Sequence, residues 1–297
     1  MSSTLEQLRA FIAAVETGSF SAASRKLGKA QSSVSELVSA LEITWNVTLF
    51  NRSGGSTKPT EAALALLLEA EFIVRECHTL NAKADSLSDG AEATVRLGYD
   101  KSTIPKSLLN TILNEFAEKF PYVQLELLRA ASEDIMHLVR DGRIDIGMIF
   151  WLEHSPEGVE FQSAGHVSLI RISGNGHPLS QQALVKRRDL HLHRKIYRTS
   201  QSSSQTTEHK DITTNVWYTD SYSTLVDLVK ENLGWAFIPK HLVEQDLNDG
   251  SIIELLCEDQ NINFIDNVDC IWTKTRQLGS AGNWLKQQLS NWPNIEQ

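Results

Sequence analysis

The chain has 297 residues, 41% of them hydrophobic and 22% charged, with a formal net charge of -9. That length allows two domains with sizeable cores, and the composition excludes a disordered chain. The acidic balance excludes a uniformly basic nucleic-acid coat, but it is uneven: residues 1–60 carry +2 and the remainder -11. Three widely spaced cysteines, Cys77, Cys257 and Cys270, argue against a disulfide framework and suit a reducing compartment. No basic-then-apolar leader is expected, and the longest apolar run, 62–68, stops at Glu69, too short to span a bilayer. The expected location is cytoplasmic.

Leu5, Leu8, Phe11, Ile12 and Val15 recur at helical spacing and predict a first helix that Gly18 ends. Ser19 is the expected N-cap of a short helix over 20–27, where Ala22, Ala23 and Leu27 permit close contact. A turn at Gly28 leads to a helix over 31–41. Val34, Leu37, Val38 and Leu41 give it an apolar face, while Gln31, Ser32, Ser33 and Ser35 stay polar. Helix, tight turn and helix make the helix-turn-helix pattern, with one side packed and the other offered to a DNA groove. Trp45, Val47, Leu49 and Phe50 follow and are expected to seal the core. Gly54 and Gly55, between Arg52 and Lys58, predict a hairpin or wing.

Thr60 is expected to cap a helix that runs to about residue 87 without Pro or Gly, a length of roughly 40 Å. Its apolar positions cover too wide an arc for a lone surface helix. A second copy of the chain is the expected partner, and packing on its own domain is the alternative.

Ser88, Asp89, Gly90 and Ala91 mark a boundary, after which strands and helices alternate. Strands are expected over 94–99, 123–128 and 144–150. Helices are expected over 104–120 and over 132–139, the second capped by Ser132. Right-handed crossovers make this sheet parallel. A second unit is expected from about Gly165, with strands over 166–172, 195–198, 216–219, 235–239 and 252–256, helices over 223–232 and 242–247, and a polar loop over 200–207. A strand over 268–272 and a terminal helix with Trp284, Leu285, Leu289 and Trp292 return to the first unit. Crossings near 160 and 265 would hinge two lobes around a cleft.

Ala22-Ala23, Leu27, the Gln31 to Ser35 stretch, Leu41-Glu42, Leu49-Phe50-Asn51-Arg52 and Thr60 occur in this order. With them, the chain resembles the LysR-type transcriptional regulators over its whole length. The resemblance implies an α/β fold with three parts: an N-terminal winged helix-turn-helix over 1–60, a long dimerising linker helix over 61–89, and a two-lobed, periplasmic-binding-protein-like effector domain over 90–297. Lobe I would take about 90–162 and 266–297, and lobe II about 163–265. It also implies homodimers, commonly homotetramers, that bind promoter DNA and change its bending when a small molecule binds. Neither a cofactor nor catalysis is implied. The sequence departs from the pattern at Asn46 and Ala63, where the family usually has Gly, and in a wing without its common basic position.

Gln31, Ser32, Ser33 and Ser35 are the candidates for base and phosphate contact, since glutamine bonds adenine bidentately and serine hydroxyls reach phosphate or base edges. Lys29, Arg52 and Lys58 are the phosphate candidates; the alternative for Arg52 is an ion pair with Glu42 or another acid of the head. In two-lobed sheets, ligands sit at strand C-termini. The candidates there are Lys101, Ser102 and Thr103 after the first strand, then Ala131 and Ser132 after the second and Trp151 after the third. Gln201, Ser202, Ser203, Thr219 and Phe237 are those of the second lobe. The resemblance gives Ser102 or Thr103 the effector-contacting hydroxyl; helix capping is the plain alternative. Trp151 could instead cover a core edge, and 201–203 could be a surface loop. Lys101 would favour an anionic effector. His191 and His193 lack further ligands, so no metal is expected.

The expected function is a sequence-specific DNA-binding transcription regulator whose two-lobed domain senses a small molecule and shifts oligomer geometry on DNA. The alternative is an effector-independent DNA-binding or partner-binding regulator. A hydrolase would need a nucleophile elbow, and neither Ser102 nor Ser203 sits in Gly-x-Ser-x-Gly.

Overall fold

Three helices build the N-terminal part: α1 (Leu5–Thr17), α2 (Phe20–Leu27) and α3 (Gln31–Trp45). Their ends follow from local side-chain chemistry. Thr4 and Gln7 form a reciprocal capping box on α1. Ser19 Oγ accepts from the Ala22 N–H at 3.1 Å, and Gly18 and Gly28 take the left-handed conformation that closes α1 and α2. α3 runs past Leu41, the expected end, so that Trp45 is its last residue, and Asn46 closes it at φ 54°.

Phe11, Val34, Val38, Leu41, Leu49 and Phe50 form the core, with Phe11 edge-on to Trp45 and to Phe50 at 6.1 Å. Glu42 Oε1 accepts from the N–H groups of Leu49 and Phe50 at 2.7 and 3.1 Å and so fixes the entry to β1 (Phe50–Asn51). β1 pairs antiparallel with β2 (Lys58–Pro59), which makes the base of the wing. α4 (Glu61–Ser88) follows in 28 residues, started by Thr60 Oγ1, which accepts from the Ala63 N–H at 3.1 Å. Ala63 and Ala70 are buried, whereas Leu64, Leu68, Phe72 and Leu80 are each more than half exposed.

The computed structural model describes residues 2–51, 57–150, 158–199, 215–258 and 264–291. The chain divides into two units, 1–88 and 89–297. Arg52, Trp151, Gln201, Ser202, Ser203 and Trp292 lie outside the described residues.

The second unit is built on one mixed sheet. Its first half holds β3 (Thr94–Tyr99), β4 (Gln124–Arg129) and β5 (Ile146–Phe150), with α5 (Lys106–Lys119) and α6 (Ser132–Arg140) as crossovers. Its second half holds β6 (Val159–Gly174), α7 (Arg187–Leu192), β7 (Lys195–Arg198), β8 (Val216–Thr219), α8 (Tyr222–Lys230), β9 (Trp235–Pro239), α9 (Glu244–Asn248) and β10 (Ile252–Glu254). β11 (Phe264–Thr273) and α10 (Ser280–Ser290) return to the first half. The strand order is β4-β3-β5-β11-β6-β9-β7-β8, and β10 pairs with β6.

β3, β4 and β5 are parallel, and so are β7, β8 and β9. β11 runs antiparallel to β5, and β6 to β9, so the sheet as a whole is mixed rather than parallel. Each half keeps its own core. Val95, Leu97, Ile112, Phe116 and Leu285 pack in lobe I; Ile170, Ile172, Ile196, Leu225 and Ile238 pack in lobe II.

Two local expectations change. β6 starts at Val159, well before the strand expected over 166–172, because it pairs with β11 from Thr273↔Val159 to Phe264↔Leu169. The register shifts between Val268, which pairs with Gly165, and Asp269, which pairs with Ser163; Ala164 is the extra residue of β6, and Gly165 beside it sits at φ 151°. Ser132 does not cap α6. Ala131 is the N-cap residue, and the Ser132 hydroxyl accepts from the Phe150 N–H at 3.1 Å, tying α6 to the end of β5.

Candidate functional site

α3 carries Val34, Val38 and Leu41 fully buried on one side and Gln31 and Ser32 exposed on the other, with Ser33 and Ser35 half-buried between. No side chain caps its N-terminus, so the first-turn N–H groups face outward without an intramolecular acceptor from Ala30. The basic groups around it are largely engaged. Lys29 Nζ donates to Glu6 Oε1 at 2.5 Å, and Lys26 Nζ to Glu16 Oε2 at 2.5 Å. Arg25 donates to Ser21 Oγ at 3.1 Å. Lys58 is exposed on β2. The face suits a few placed groove contacts better than a broad cationic surface.

In the second unit, a cleft of about 590 Å³ opens where the C-terminal ends of β3, β4, β7 and β8 converge with the N-termini of α6 and α8. Three bases (Lys101, Arg129, Arg198) and three acids (Asp100, Asp134, Asp220) line it, together with Ala131, Thr199, Ser221 and Ser223. Its volume lies within the usual range of small-molecule sites, roughly 300–1,000 Å³. Neither α6 nor α8 has a side-chain cap.

Asp100, 1% exposed, organises the floor of the cleft. Its Oδ1 accepts from the Ser102 N–H at 3.1 Å and the Ser102 hydroxyl at 2.6 Å; its Oδ2 accepts from Arg198 Nη1 at 2.7 Å. The Arg198 guanidinium lies over the Tyr222 ring at 4.6 Å. Tyr222 bonds both Ser102 and Arg198, and burial, then Asp100, push its hydroxyl pKa up. Burial disfavours the Arg198 charge, but Asp100 and Tyr222 outweigh it and its pKa is raised. His241 bonds the Lys101 backbone, and burial lowers its pKa. Arg198 Nε and His241 Nε2 are buried and find no hydrogen-bond partner among the described residues.

Lys101 and Ala131 line the cleft. Ser102 and Thr103 are fully buried and committed internally, with the Thr103 hydroxyl on the Asp100 carbonyl at 2.8 Å. Neither caps a helix, since α5 begins at Lys106 with Pro105 at its N-cap. They close a turn on Asp100. Ser132 is buried beneath the cleft; Thr219 Oγ1 accepts from the Ser221 N–H at 3.2 Å, one residue from the lining Asp220. Phe237 lies in the lobe II sheet with Arg171 over its ring at 5.8 Å, and is not a lining residue. Sequence reading missed Asp100, Arg198, Tyr222 and His241. The Asp-x-Ser spacing after a strand was the available signal for Asp100.

Residues 5–64 match the model of the bacterial regulatory helix-turn-helix proteins of the lysR family, and residues 88–293 match the LysR substrate binding domain. The chain belongs to the LysR family of DNA-binding transcriptional regulators, which are not enzymes. It is 29% identical over 291 residues to the HTH-type transcriptional regulator AceR of Acinetobacter baumannii, across 96% of each chain. It is 26% identical over 296 residues to the uncharacterized HTH-type transcriptional regulator YeeY of Escherichia coli K12, across 98% of this chain and 94% of that one. In fold it is similar to a mutant of Corynebacterium glutamicum OxyR (TM-score 0.58, 19% identity, 98% and 93% of the two chains). It is likewise similar to full-length BenM (TM-score 0.54, 21% identity, 96% and 95%). Among the described residues, no helix is long and apolar enough to cross a membrane.

Proposed function

We propose that this regulator is effector-responsive: a small polar molecule with an anionic group occupies the cleft and shifts the geometry of an oligomer on promoter DNA. The cleft at converging strand ends carries the reading, because its volume and mixed charge suit a small polar ligand. Lys101, Arg129 and Arg198 favour the anionic group, and Ala131 and Ser221 sit at helix N-termini that add donors. Ser102 and Thr103 act through Asp100. Trp151, Gln201, Ser202 and Ser203, the other sequence candidates for this role, lie outside the described residues. The effector-independent alternative is favoured by one observation, the inward turn of the Ser102 and Thr103 hydroxyls.

On DNA, Gln31, Ser32, Ser33 and Ser35 take the groove, and Lys29, Arg52 and Lys58 take phosphates. The chain works in the cytoplasm as a homodimer and, through the effector domains, as a homotetramer. The stripe of Leu64, Leu68, Phe72 and Leu80 on α4 supports the dimer, since it leaves more apolar surface in water than a lone helix sustains. Leu68→Glu is expected to yield monomers by sedimentation.

The test of function is binding of purified chain to DNA upstream of its own gene at two salt concentrations, with excess nonspecific competitor. Gln31→Ala with Ser33→Ala is expected to abolish selectivity and retain nonspecific binding. A metabolite library is then screened by thermal shift against wild type and Ala131→Trp, which fills the cleft. A library without one compound that separates the two would favour the effector-independent alternative.

A further inference from the structure

The turn from Asp100 to Thr103 belongs to lobe I, and three side chains of lobe II grasp it. Arg198 holds the Asp100 carboxylate at 2.7 Å, Tyr222 bonds Ser102, and His241 bonds the Lys101 backbone. A backbone N–H, a hydroxyl and a guanidinium converge on the Asp100 carboxylate. This is the donor set of a site for a free carboxylate. The chain fills that site with its own side chain.

We propose that Asp100 is a tethered internal ligand: its carboxylate occupies Arg198, and the effector is a small carboxylate that acts by displacing Asp100 from Arg198 and so loosening the hold of lobe II on the lobe I turn. The proposal rests on the reading of the cleft as an effector site and adds the class of the effector and the contact it breaks.

The geometry favours the exchange. Asp100 uses only Nη1 of the guanidinium, while Nε is buried without a partner among the described residues. A free carboxylate on the Nε edge would make two parallel bonds, to Nε and Nη2, where Asp100 makes one to Nη1, and its negative charge beside the Asp100 carboxylate would weaken that single bond. Tyr222, stacked at 4.6 Å, holds the guanidinium plane for that approach. The exchange also discriminates between two states. With Asp100 bound the turn is held by three lobe II side chains; with an external carboxylate bound the Arg198 hold is gone and those of Tyr222 and His241 remain. A ligand shifts an equilibrium only through such a difference. A tethered competitor weakens the apparent affinity for the external carboxylate until it is removed.

Chemical rescue on the full-length chain tests this. Asp100→Ala leaves a gap of carboxylate size beside Arg198, and its Tm is expected to fall by on the order of 10 °C. Sodium formate is expected to restore much of that loss, and sodium chloride at equal ionic strength is not. Asp100→Asn, which keeps the shape, carries the test should the alanine variant not fold. Its affinity for acetate is expected to exceed that of wild type by about 10-fold. Both responses are expected to vanish when Arg198→Met is added.

If formate and acetate act no differently from chloride on the Asp100 variants, or act equally without Arg198, the proposal is wrong. The Ala131→Trp screen keeps this apart from the cleft reading. Library compounds that bind wild type in the cleft while the Asp100 variants ignore formate would overturn the internal ligand alone. Formate rescue without any cleft compound would support the internal ligand and count against the cleft as the effector's seat.

Discussion

Glu6 on α1 reaches over Lys29 in the turn before α3, with 2.5 Å between its Oε1 and the lysine Nζ. Lys29 is the cation nearest in sequence to the exposed first turn of α3, so a phosphate that uses it competes with Glu6. Lys29 also lowers the Glu6 pKa, chiefly through their hydrogen bond. Glu6→Gln is expected to raise DNA affinity at low salt. The slope of log affinity on log salt should steepen by roughly 0.9, one more counterion released. Unchanged salt titrations would mean that Lys29 never meets a phosphate.

Asn46 holds the left-handed close of α3 at φ 54°, where glycine has no steric cost. Asn46→Gly is expected to stabilise the head by about 0.5 kcal/mol, and Asn46→Ala to destabilise it by about 1 kcal/mol. Urea denaturation of the two variants checks the sign of each. A stabilising alanine would show that the side chain, not the backbone, sets the preference.

Gly147 lies in β5 where a Cβ would stand 2.7 Å from Ile135 Cγ2 and 2.8 Å from Ile271 Cγ1. Both isoleucines are buried, and the atoms met are branch carbons close to their backbones. Gly147→Ala is expected to cost about 1–3 kcal/mol by overpacking. Calorimetry should place the loss in the transition of the second unit; an unchanged Tm would mean that α6 moves away at no cost.

Lys195, 3% exposed, stands in β7 near Arg171, with its ammonium 5.2 Å from the Tyr197 ring and 5.5 Å from that of Trp235. Burial first, and Arg171 second, push its pKa down to about 8. The folded chain therefore binds the proton more weakly than the unfolded chain. Stability should rise as pH increases from about 8 toward 10.5 and be lowest below pH 8. Lys195→Met is expected to add about 1–3 kcal/mol at pH 7 and to flatten that rise. Denaturation at pH 7 and pH 9.5 decides it; equal gains at both would place the effect in packing.

Local signals read well in the sequence wherever one residue determines one geometry. Ser19, Gly18 and Gly28 set helix ends through their own side chains or φ angles, and each was readable alone. Ser132 was misread because the same residue type at the same place has two uses, and a partner 18 residues away, Phe150, took its hydroxyl. The length of β6 was underread because its first residues are held by β11, more than a hundred positions later. The cleft floor lay furthest out of reach. Arg198 is 98 residues from Asp100, and neither residue has a local pattern that announces the other. The strand ends that form the cleft were legible; which of their side chains are already spent on each other was not.

β6 and β11 pass through both lobes hydrogen-bonded to one another, and their pairing slips once, at Ala164, between Gly165↔Val268 and Ser163↔Asp269. The joint between the lobes is therefore a ribbon with one crease, and two independent threads would behave differently. A ribbon resists shear and extension because each breaks ladder bonds, whereas it flexes at the crease, where a bond is already missing and a glycine backbone allows the angle. Whatever loosens the floor of the cleft, the two lobes are expected to answer with one rotation about one line.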